Sequence, residues 1–419
     1  MKIVLFLLIG FLCLPSRAFG TEDPGGTATA PETLQKEILD LREKLDEVVN
    51  AQKKVLPGEF NPSIGLVGET LFSFRSRGSQ ETGSDRPGGV DIFQRSVELN
   101  AAGSVDPFAT AYAVINGSAD SQTGSQSWGV EEAAIQTTAL PWNVTIKAGR
   151  FFGEFGRLAY IHDHELPFVN RPLVLDRYIG GEARTDGIQF NILVPAEQYI
   201  SLSFGTGDQF GADFPNPDNP GDYRTIGGLN TWGRLSTYID LTPDLSLESG
   251  VSGLWNPAAV DRGGPLLQPD GTLLTERVRR LAGLDLLVSY KPLRDNQFNS
   301  VIWGTEWLYS DNRYDVSGGA VPASRSVGSN GLYSYVTYRW HRQWSGGVLV
   351  EWLEESQDNH AKTAAYSSYI TWATSHWNQL RLQYTYTEPS GETGLLPDHA
   401  VYLQWAWIIG SHSHGWQQR

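Results

Sequence analysis

Apolar and polar residues alternate with a period of two along most of the chain from Pro62 onward. The segment IQFNI at 188–192, for example, places its apolar side chains on one face of a strand and its amides on the other. This period predicts sixteen β-strands. Their expected bounds are 63–76, 93–105, 108–119, 129–140, 142–153, 184–194, 197–206, 228–241, 244–256, 278–290, 298–310, 329–341, 344–355, 362–375, 378–388 and 398–410.

The connections between these strands alternate in length. Short turns such as Asp106-Pro107, Pro243-Asp244 and Arg342-Gln343 are followed by longer polar loops. An even strand number with this alternation is typical of an all-β, transmembrane up-and-down antiparallel β-barrel of about 16 strands, expected over 57–419. The apolar outer face of such a barrel needs hydrocarbon around it, so outer-membrane lipid is a predicted partner.

A different period precedes the barrel, at 33–56. Leu34, Ile38, Leu41, Leu45, Val48, Gln52 and Val55 follow a heptad seam, with mostly charged residues between them. This pattern predicts a short periplasmic α-helical coiled coil after a flexible linker at 21–32. A helix of this length is marginal alone, so we expect self-association, for example into a homotrimer, or packing on the barrel rim. The alternative is an amphipathic helix lying on its own domain.

The N-terminus has the features of a secretory signal peptide at residues 1–20. Its removal takes away Cys13, Lys2 and Arg17, which changes the net charge from −15 to −17 and leaves no cysteine. The mature chain therefore cannot form disulfides, and its acidity argues against nucleic acid as a partner. Beyond the signal, no apolar run is long enough for a transmembrane helix.

The inward face of the predicted strands carries acidic and basic side chains. Acids outnumber bases there, which favours cations, whereas the alternative is that the charges pair with one another. A barrel of this size leaves an aqueous channel unless something fills it. The predicted pore-lining residues are Glu69, Glu98, Glu132, Lys147, Arg150, Arg234, Glu248, Asp285, Glu306, Glu351 and Arg381.

The longest predicted loop joins the fifth and sixth strands in the third hairpin, at about 154–183. We expect it to fold into the lumen and form a constriction. Its arginines predict either a bidentate site for a carboxylate or phosphate group, or ion pairs that anchor the loop to the wall. The predicted constriction residues are Arg157, His162, Asp163, His164, Glu165, Arg171 and Arg177.

His162, His164 and Glu165 are a candidate ligand set, because imidazole and carboxylate suit zinc or iron. A hydrogen-bonded loop is the alternative, and we predict no cofactor. His412 and His414 repeat the spacing, and we assign them to the barrel-closing sequence. The chain has no Gly-x-Ser-x-Gly elbow and no phosphate loop, which predicts that it is not an enzyme.

Three stretches carry a family resemblance: GRFFGEFG at 149–156, the loop from His162 to Pro172, and GSHSHGW at 410–416. With the signal peptide, the coiled coil and Asn61-Pro62 before the barrel, they resemble Gram-negative outer-membrane porins of the phosphate-selective group and their siderophore-porin relatives. The resemblance covers nearly the whole mature chain and implies solute transport across the outer membrane. Phosphate-selective members carry a lysine-rich lumen, whereas this chain offers mostly acids.

The leading hypothesis is a passive diffusion channel for small hydrophilic or charged solutes, narrowed by the third loop. The alternative is a substrate-binding uptake receptor for an iron chelate, a siderophore or a metal complex. A third hypothesis, a structural tether between membrane and cell wall, rests on the helix alone.

Overall fold

The computed structural model describes residues 62–77, 88–119, 126–211, 226–257, 266–267, 272–293, 298–318, 323–375 and 377–410. All of them belong to one compact unit, Pro62–Arg419, which is distinct from Met1–Asn61. The predicted signal peptide, linker and coiled-coil helix lie outside the described residues, as do His412 and His414.

Sixteen antiparallel strands form the wall of a closed barrel in the described part of the chain. Each strand pairs with its neighbours in sequence, and the first also pairs with the last, from Gly65 opposite Gly410 to Arg75 opposite Ala400. The predicted fold class is thereby confirmed. The strands are β1 (Ser63–Arg75), β2 (Gly89–Asp106), β3 (Ala109–Ala119), β4 (Gln126–Thr137), β5 (Val144–Phe152), β6 (Arg184–Leu193), β7 (Tyr199–Gly207), β8 (Asn230–Thr242), β9 (Leu245–Asn256), β10 (Leu273–Tyr290), β11 (Ser300–Ser317), β12 (Ala323–His341), β13 (Trp344–Glu355), β14 (Asp358–Ser375), β15 (Asn378–Pro389) and β16 (Asp398–Gly410). A two-residue strand, Leu266–Leu267, extends the hairpin before β10.

The two faces of each strand meet different surroundings. In β16, Tyr402 and Gln404 are buried, whereas Leu403 is 38% exposed and Trp405 47% exposed. The same alternation in the other strands gives the barrel an apolar exterior, which would be unfavourable in water and is required in lipid.

One connection departs from the predicted alternation of turn lengths. β13 and β14 are joined by two residues, Ser356 and Gln357, on the side where the other described connections are longer. β14 begins at Asp358 rather than at 362, and it pairs with Glu355 directly across the turn. Residues 358–362 are polar except for Ala361, so the period-two pattern does not mark this part of the strand.

The loop between β5 and β6, residues 153–183, provides ten of the 23 buried residues of the main apolar cluster. It contains a short helix α1 (Leu173–Tyr178), and no helix in the described residues is long and apolar enough to cross a membrane. Phe155 and Phe168 are fully buried in the same cluster as the inward-facing Trp232 and Tyr333. Each such aromatic contributes about 1.5–3 kcal/mol by leaving water, so the loop is held against the inner wall.

Candidate functional site

The backbone of the third loop is hydrogen-bonded to the Gln189 side chain of the adjacent β6 and to side chains from four strands farther along the chain. Because a loop without a ladder partner must satisfy its amides elsewhere, inward-facing polar groups serve as acceptors. For these four strands the donor and acceptor pairs are Gly156 N to Ser252 Oγ (2.9 Å), Arg157 N to Glu306 Oε2 (3.1 Å), Val169 N to Gln383 Oε1 (2.7 Å) and Leu173 N to Glu351 Oε1 (2.6 Å). Glu306 and Glu351, which the sequence placed on the lumenal face, thus hold the loop.

Gly156 allows the loop to approach β11 closely. Its φ of +59° lies in the left-handed region, and a Cβ atom at this position would lie 2.1 Å from Glu306 Oε1. Both the conformation and the space therefore require glycine here.

Most of the predicted pore-lining charges contact an opposite charge, a carbonyl oxygen of the loop or an aromatic ring. Arg234 Nη2 donates to Asp285 Oδ1 at 2.9 Å, and both residues are at most 5% exposed. The remaining contacts are Glu69 Oε1 with Arg95 Nη1 (3.3 Å), Lys147 Nζ with the Phe151 ring (4.8 Å) and Arg381 Nη1 with the Phe168 carbonyl oxygen (3.1 Å). The ion pairs of Arg234 and Glu69 favour the alternative in which the charges pair with one another.

Arg150 lies apart from this set. It stands opposite Ala133 on β4 and Asp186 on β6, and its Nε donates to Asp186 Oδ1 at 2.7 Å. Arg150 is three positions from the buried Lys147 along β5, so by alternation the two side chains lie on opposite faces of the strand. The Arg150 side chain is 36% exposed. The structure therefore does not bring Arg150 together with the buried acids.

The three arginines of the loop all have acidic partners. Arg157 Nη1 lies 2.8 Å from Glu248 Oε1, and Arg177 Nε lies 3.6 Å from Glu355 Oε2. Arg171 pairs with Asp163 and donates to two carbonyl oxygens within the loop itself. This arrangement is the one expected if the arginines anchor the loop.

Two inward-facing charges were missed because the strands contain irregularities. The pairing of β1 with β2 shifts at Thr70, and Arg95 turns inward to reach Glu69 and Asp163. The pairing of β3 with β4 shifts at Ile115, so that Glu131 is buried beside its neighbour Glu132. A bulge inserts one residue into a strand and breaks the period-two alternation. No sequence pattern marks these two bulges.

The loop histidines lie in a cluster of wall carboxylates. His162 Nε2 is 2.9 Å from Glu132 Oε1, and His164 Nδ1 is 3.2 Å from Glu98 Oε1. Both imidazoles are at most 5% exposed. Glu165, predicted as their partner, is exposed instead, and Glu98 on β2 takes its place.

The pKa values of the loop groups follow these contacts. Burial opposes a charge on His162, but the hydrogen bond with Glu132 and the charges of Glu98 and Glu131 raise its pKa above the usual range. Burial likewise opposes ionisation of Asp163, yet Arg95 and Arg171 hold its pKa well below its usual range. The loop therefore concentrates ionised groups of both signs.

Burial also changes a second aspartate of the loop. It raises the pKa of Asp176, in α1, to about 7. This carboxyl is therefore protonated below about pH 7 and ionised above it, so its charge changes within the physiological range.

Two open recesses lie between the loop and the wall, on the side of the longer connections. One has a volume of about 440 Å³ and the other about 330 Å³. Both are lined by Arg95, Asp163, Arg171 and Asp176, so charged groups of both signs face the same space.

Comparison with known proteins agrees with this architecture. No protein-family profile matches the chain. An uncharacterised protein of Aquifex aeolicus (strain VF5) is 26% identical over 344 residues, which is 75% of this chain and 68% of that protein.

Solved structures with the same barrel include OprB of Pseudomonas putida, with a TM-score of 0.57, 11% identity, and coverage of 83% of this chain and 94% of that one. The channel DcaP of Acinetobacter baumannii gives a TM-score of 0.52 and 9% identity, covering 83% and 97%. An anion-selective porin of Comamonas acidovorans gives 0.51 and 9%, covering 83% and 99%. The chain has the fold of outer-membrane porins. This fold and the apolar exterior place it in the outer membrane of a Gram-negative cell.

Proposed function

We propose that the chain is a passive diffusion channel for small hydrophilic or charged solutes, with the third loop, residues 153–183, as its constriction. The observation that carries this proposal is the set of hydrogen bonds from the loop backbone to β9, β11, β13 and β15 inside a closed barrel. A loop bonded to several sides of the inner wall leaves a passage narrower than the barrel itself.

The charges around the larger recess define the class of solute. Arg75, Arg95 and Arg177 line it together with Asp176 and Asp398. Opposed charges across a confined aqueous space act on a solute more strongly than in bulk water. Such a passage favours charged and dipolar solutes and disfavours apolar ones.

Conductance in planar bilayers tests the proposal. We expect discrete steps from the folded wild-type protein, and larger steps when residues 158–181 are replaced by a short Gly-Ser linker. Arg277→Ala is the control, because Arg277 belongs to an exposed ion pair with Asp315 at the strand ends. A folded protein that never gives steps, or a loop replacement that leaves the step size unchanged, contradicts the proposal.

We also propose that the heptad seam at 33–56 organises a homotrimer in the periplasm. One of the similar solved structures, OmpT of Vibrio cholerae, is described in a trimer form. Light scattering on the detergent-solubilised protein should give a trimer for the full mature chain and a monomer after deletion of 21–56. An unchanged mass after the deletion contradicts this role of the helix.

The narrower resemblance to phosphate-selective and siderophore porins stays a prediction. If the chain is an uptake receptor for an iron chelate, its binding at the third loop makes uptake saturate as the chelate concentration rises. Uptake that increases in proportion to the chelate concentration indicates a diffusion channel instead.

A further inference from the structure

The histidines of the third loop and the acids of the wall form two overlapping groups with the composition of a metal site. One group is Glu98, His162 and His164, and the other is Glu131, His162 and Glu182. In each group the donor atoms lie within 4.8 Å of one another. All of these residues except the partly exposed Glu182 are buried.

His162 is oriented as a metal-binding histidine usually is. Its Nε2 contacts Glu132 Oε1 at 2.9 Å, and Glu132 also accepts hydrogen bonds from the Tyr112 hydroxyl and the Phe152 amide. Glu132 is thus held as an acceptor, which places a ring proton on Nε2 and leaves Nδ1 facing the other acids, where it binds either a proton or a metal ion. A carboxylate behind a histidine commonly fixes the ring of a metal ligand in this way.

The distances on the other side of the ring favour an ion rather than a proton. His162 Nδ1 lies 3.7 Å from Glu98 Oε2 and 3.7 Å from Glu131 Oε2. An imidazolium would draw a carboxylate to about 2.8 Å. Two ligands of one tetrahedral ion, at metal–ligand distances near 2.05 Å, stand about 3.3 Å apart. Small rotations of these side chains would close the remaining difference.

The local charge also requires compensation. Glu98, Glu131 and Glu182 approach the two imidazoles from three elements, β2, β4 and the end of the loop. Buried carboxylates in such a group stay ionised only when positive charge is close, and they take up protons otherwise. A divalent cation supplies it at the point where the oxygen and nitrogen atoms converge.

An ion can reach this position. Glu98, Glu131 and Glu182 all line the open recess of about 330 Å³ on the side of the longer connections. The carboxylates can therefore receive a hydrated cation from solution, while the histidines lie deeper.

We propose that Glu98, His162 and His164 bind one first-row divalent transition-metal ion, with Glu131 and Glu182 as additional donors. Two imidazoles and carboxylate oxygens are the ligand set of zinc and of ferrous iron, and they disfavour magnesium and calcium. The ion fastens the third loop to β2 and β4. This proposal does not depend on which solute crosses the barrel.

Cobalt binding to the purified full chain in detergent tests the site. After treatment with a chelator, Co²⁺ is titrated while the visible absorption band is followed, and equilibrium dialysis gives the stoichiometry. We expect one Co²⁺ per chain, displaced by Zn²⁺. Glu98→Gln and His162→Asn should each raise Kd by at least about 10-fold.

The sequence offers matched controls. The double variant His412→Asn/His414→Asn removes the other His-x-His pair, and Glu165→Gln removes the exposed neighbour; both should leave Kd unchanged. Heat-modifiable migration on a gel verifies that each barrel is folded, and Glu131→Gln, with an expected smaller loss, replaces any variant that fails to fold.

Three results would overturn the proposal. The first is a wild-type protein without Co²⁺ absorption, which indicates that protons alone compensate the carboxylates. The second is an unchanged Kd in folded Glu98→Gln. The third is a loss of Co²⁺ binding in the His412→Asn/His414→Asn variant.

Discussion

Replacing Arg171 by methionine should release the third loop while leaving the barrel intact. Arg171 is 5% exposed and belongs wholly to the loop interior. Its Nη1 donates to the Leu158 carbonyl and its Nη2 to the Ile161 carbonyl, each at 2.6 Å, and its Nε donates to Asp163 at 3.0 Å. Methionine keeps an unbranched chain of similar length and removes all three bonds.

The size of the effect follows from these contacts. Removing Arg171 leaves the Leu158 and Ile161 carbonyl oxygens without their donor, which costs about 1–3 kcal/mol for each group, whereas Asp163 keeps Arg95 as its partner. The new apolar side chain recovers about 1 kcal/mol. The net loss of about 1–5 kcal/mol raises the population of the disordered loop roughly 5- to 4,000-fold, at 1.4 kcal/mol for each factor of ten.

Hydrogen–deuterium exchange measures this population directly. The amides of Val169 and Leu173 are bonded to Gln383 and Glu351 across the loop–wall contact, so their protection should fall by the same factor. Peptides from the strands should keep their protection, since the barrel ladder does not involve Arg171.

Arg177→Met is the matched control. The Arg177 side chain is 30% exposed and lies 3.6 Å from Glu355, so its removal should cost less than about 1 kcal/mol. Arg171→Lys should rescue little, because an ammonium group cannot reproduce the planar fork. The anchoring argument is wrong if the folded Arg171→Met variant protects the Val169 and Leu173 amides from exchange to within about threefold of the wild-type protein.

Three further predictions concern the loop and the wall. Gly156→Ala should enlarge the conductance steps, because its Cβ would lie 2.1 Å from Glu306 Oε1 and the loop must move away. Asp285→Asn should lower the free energy of unfolding by about 3–5 kcal/mol, measured in urea with the protein in lipid vesicles, because it leaves Arg234 buried without its charge partner. The raised pKa of Asp176, about 7 against 3.8 for an ordinary aspartate, means that the folded loop binds more protons than the disordered one. Loop stability should therefore be highest below about pH 4 and fall as the pH rises to about 7, and amide exchange in Asp176→Asn should lose that part of the pH dependence.

Each of these predictions has a control within the chain. Gly394→Ala tests backbone strain alone, because Gly394 has a φ of +69° but open space around it, and it should leave the conductance unchanged. Asp311→Asn breaks an exposed pair with Arg280 and should cost less than about 1 kcal/mol. An equal cost for Asp285→Asn and Asp311→Asn contradicts the reasoning from burial. Loop exchange that rises with pH to the same extent in Asp176→Asn and in wild type contradicts the assignment to Asp176.

Much of the barrel could be predicted because its rule is local. Strand face depends on odd or even position, so Leu382 and Arg381 were assigned to opposite sides from the sequence, and the structure has them 49% and 4% exposed. The strand ends beyond the apolar zone were harder to place. β10 starts at Leu273 rather than at 278, in a segment where Arg277 and Asp315 form a polar cross-strand pair instead of an apolar stripe.

The partners of the charged residues could not be predicted in the same way. His162 and Glu132 are 30 positions apart, and Leu173 and Glu351 are 178 apart, so no local pattern connects them. For the same reason, the sequence predicted Glu165 as the neighbour of the histidines, whereas the structure has Glu98, which is distant in the chain.

By itself the sequence determined the closed sixteen-strand wall and its apolar exterior, because alternation along a strand is a property of consecutive residues. Only the tertiary structure decided which charges meet inside. Bulges turn Arg95 and Glu131 inward, against the alternation, and the third loop brings its histidines and arginines to strands distant in the chain. Such contacts depend on the position of a segment in space, which short-range periodicity does not encode.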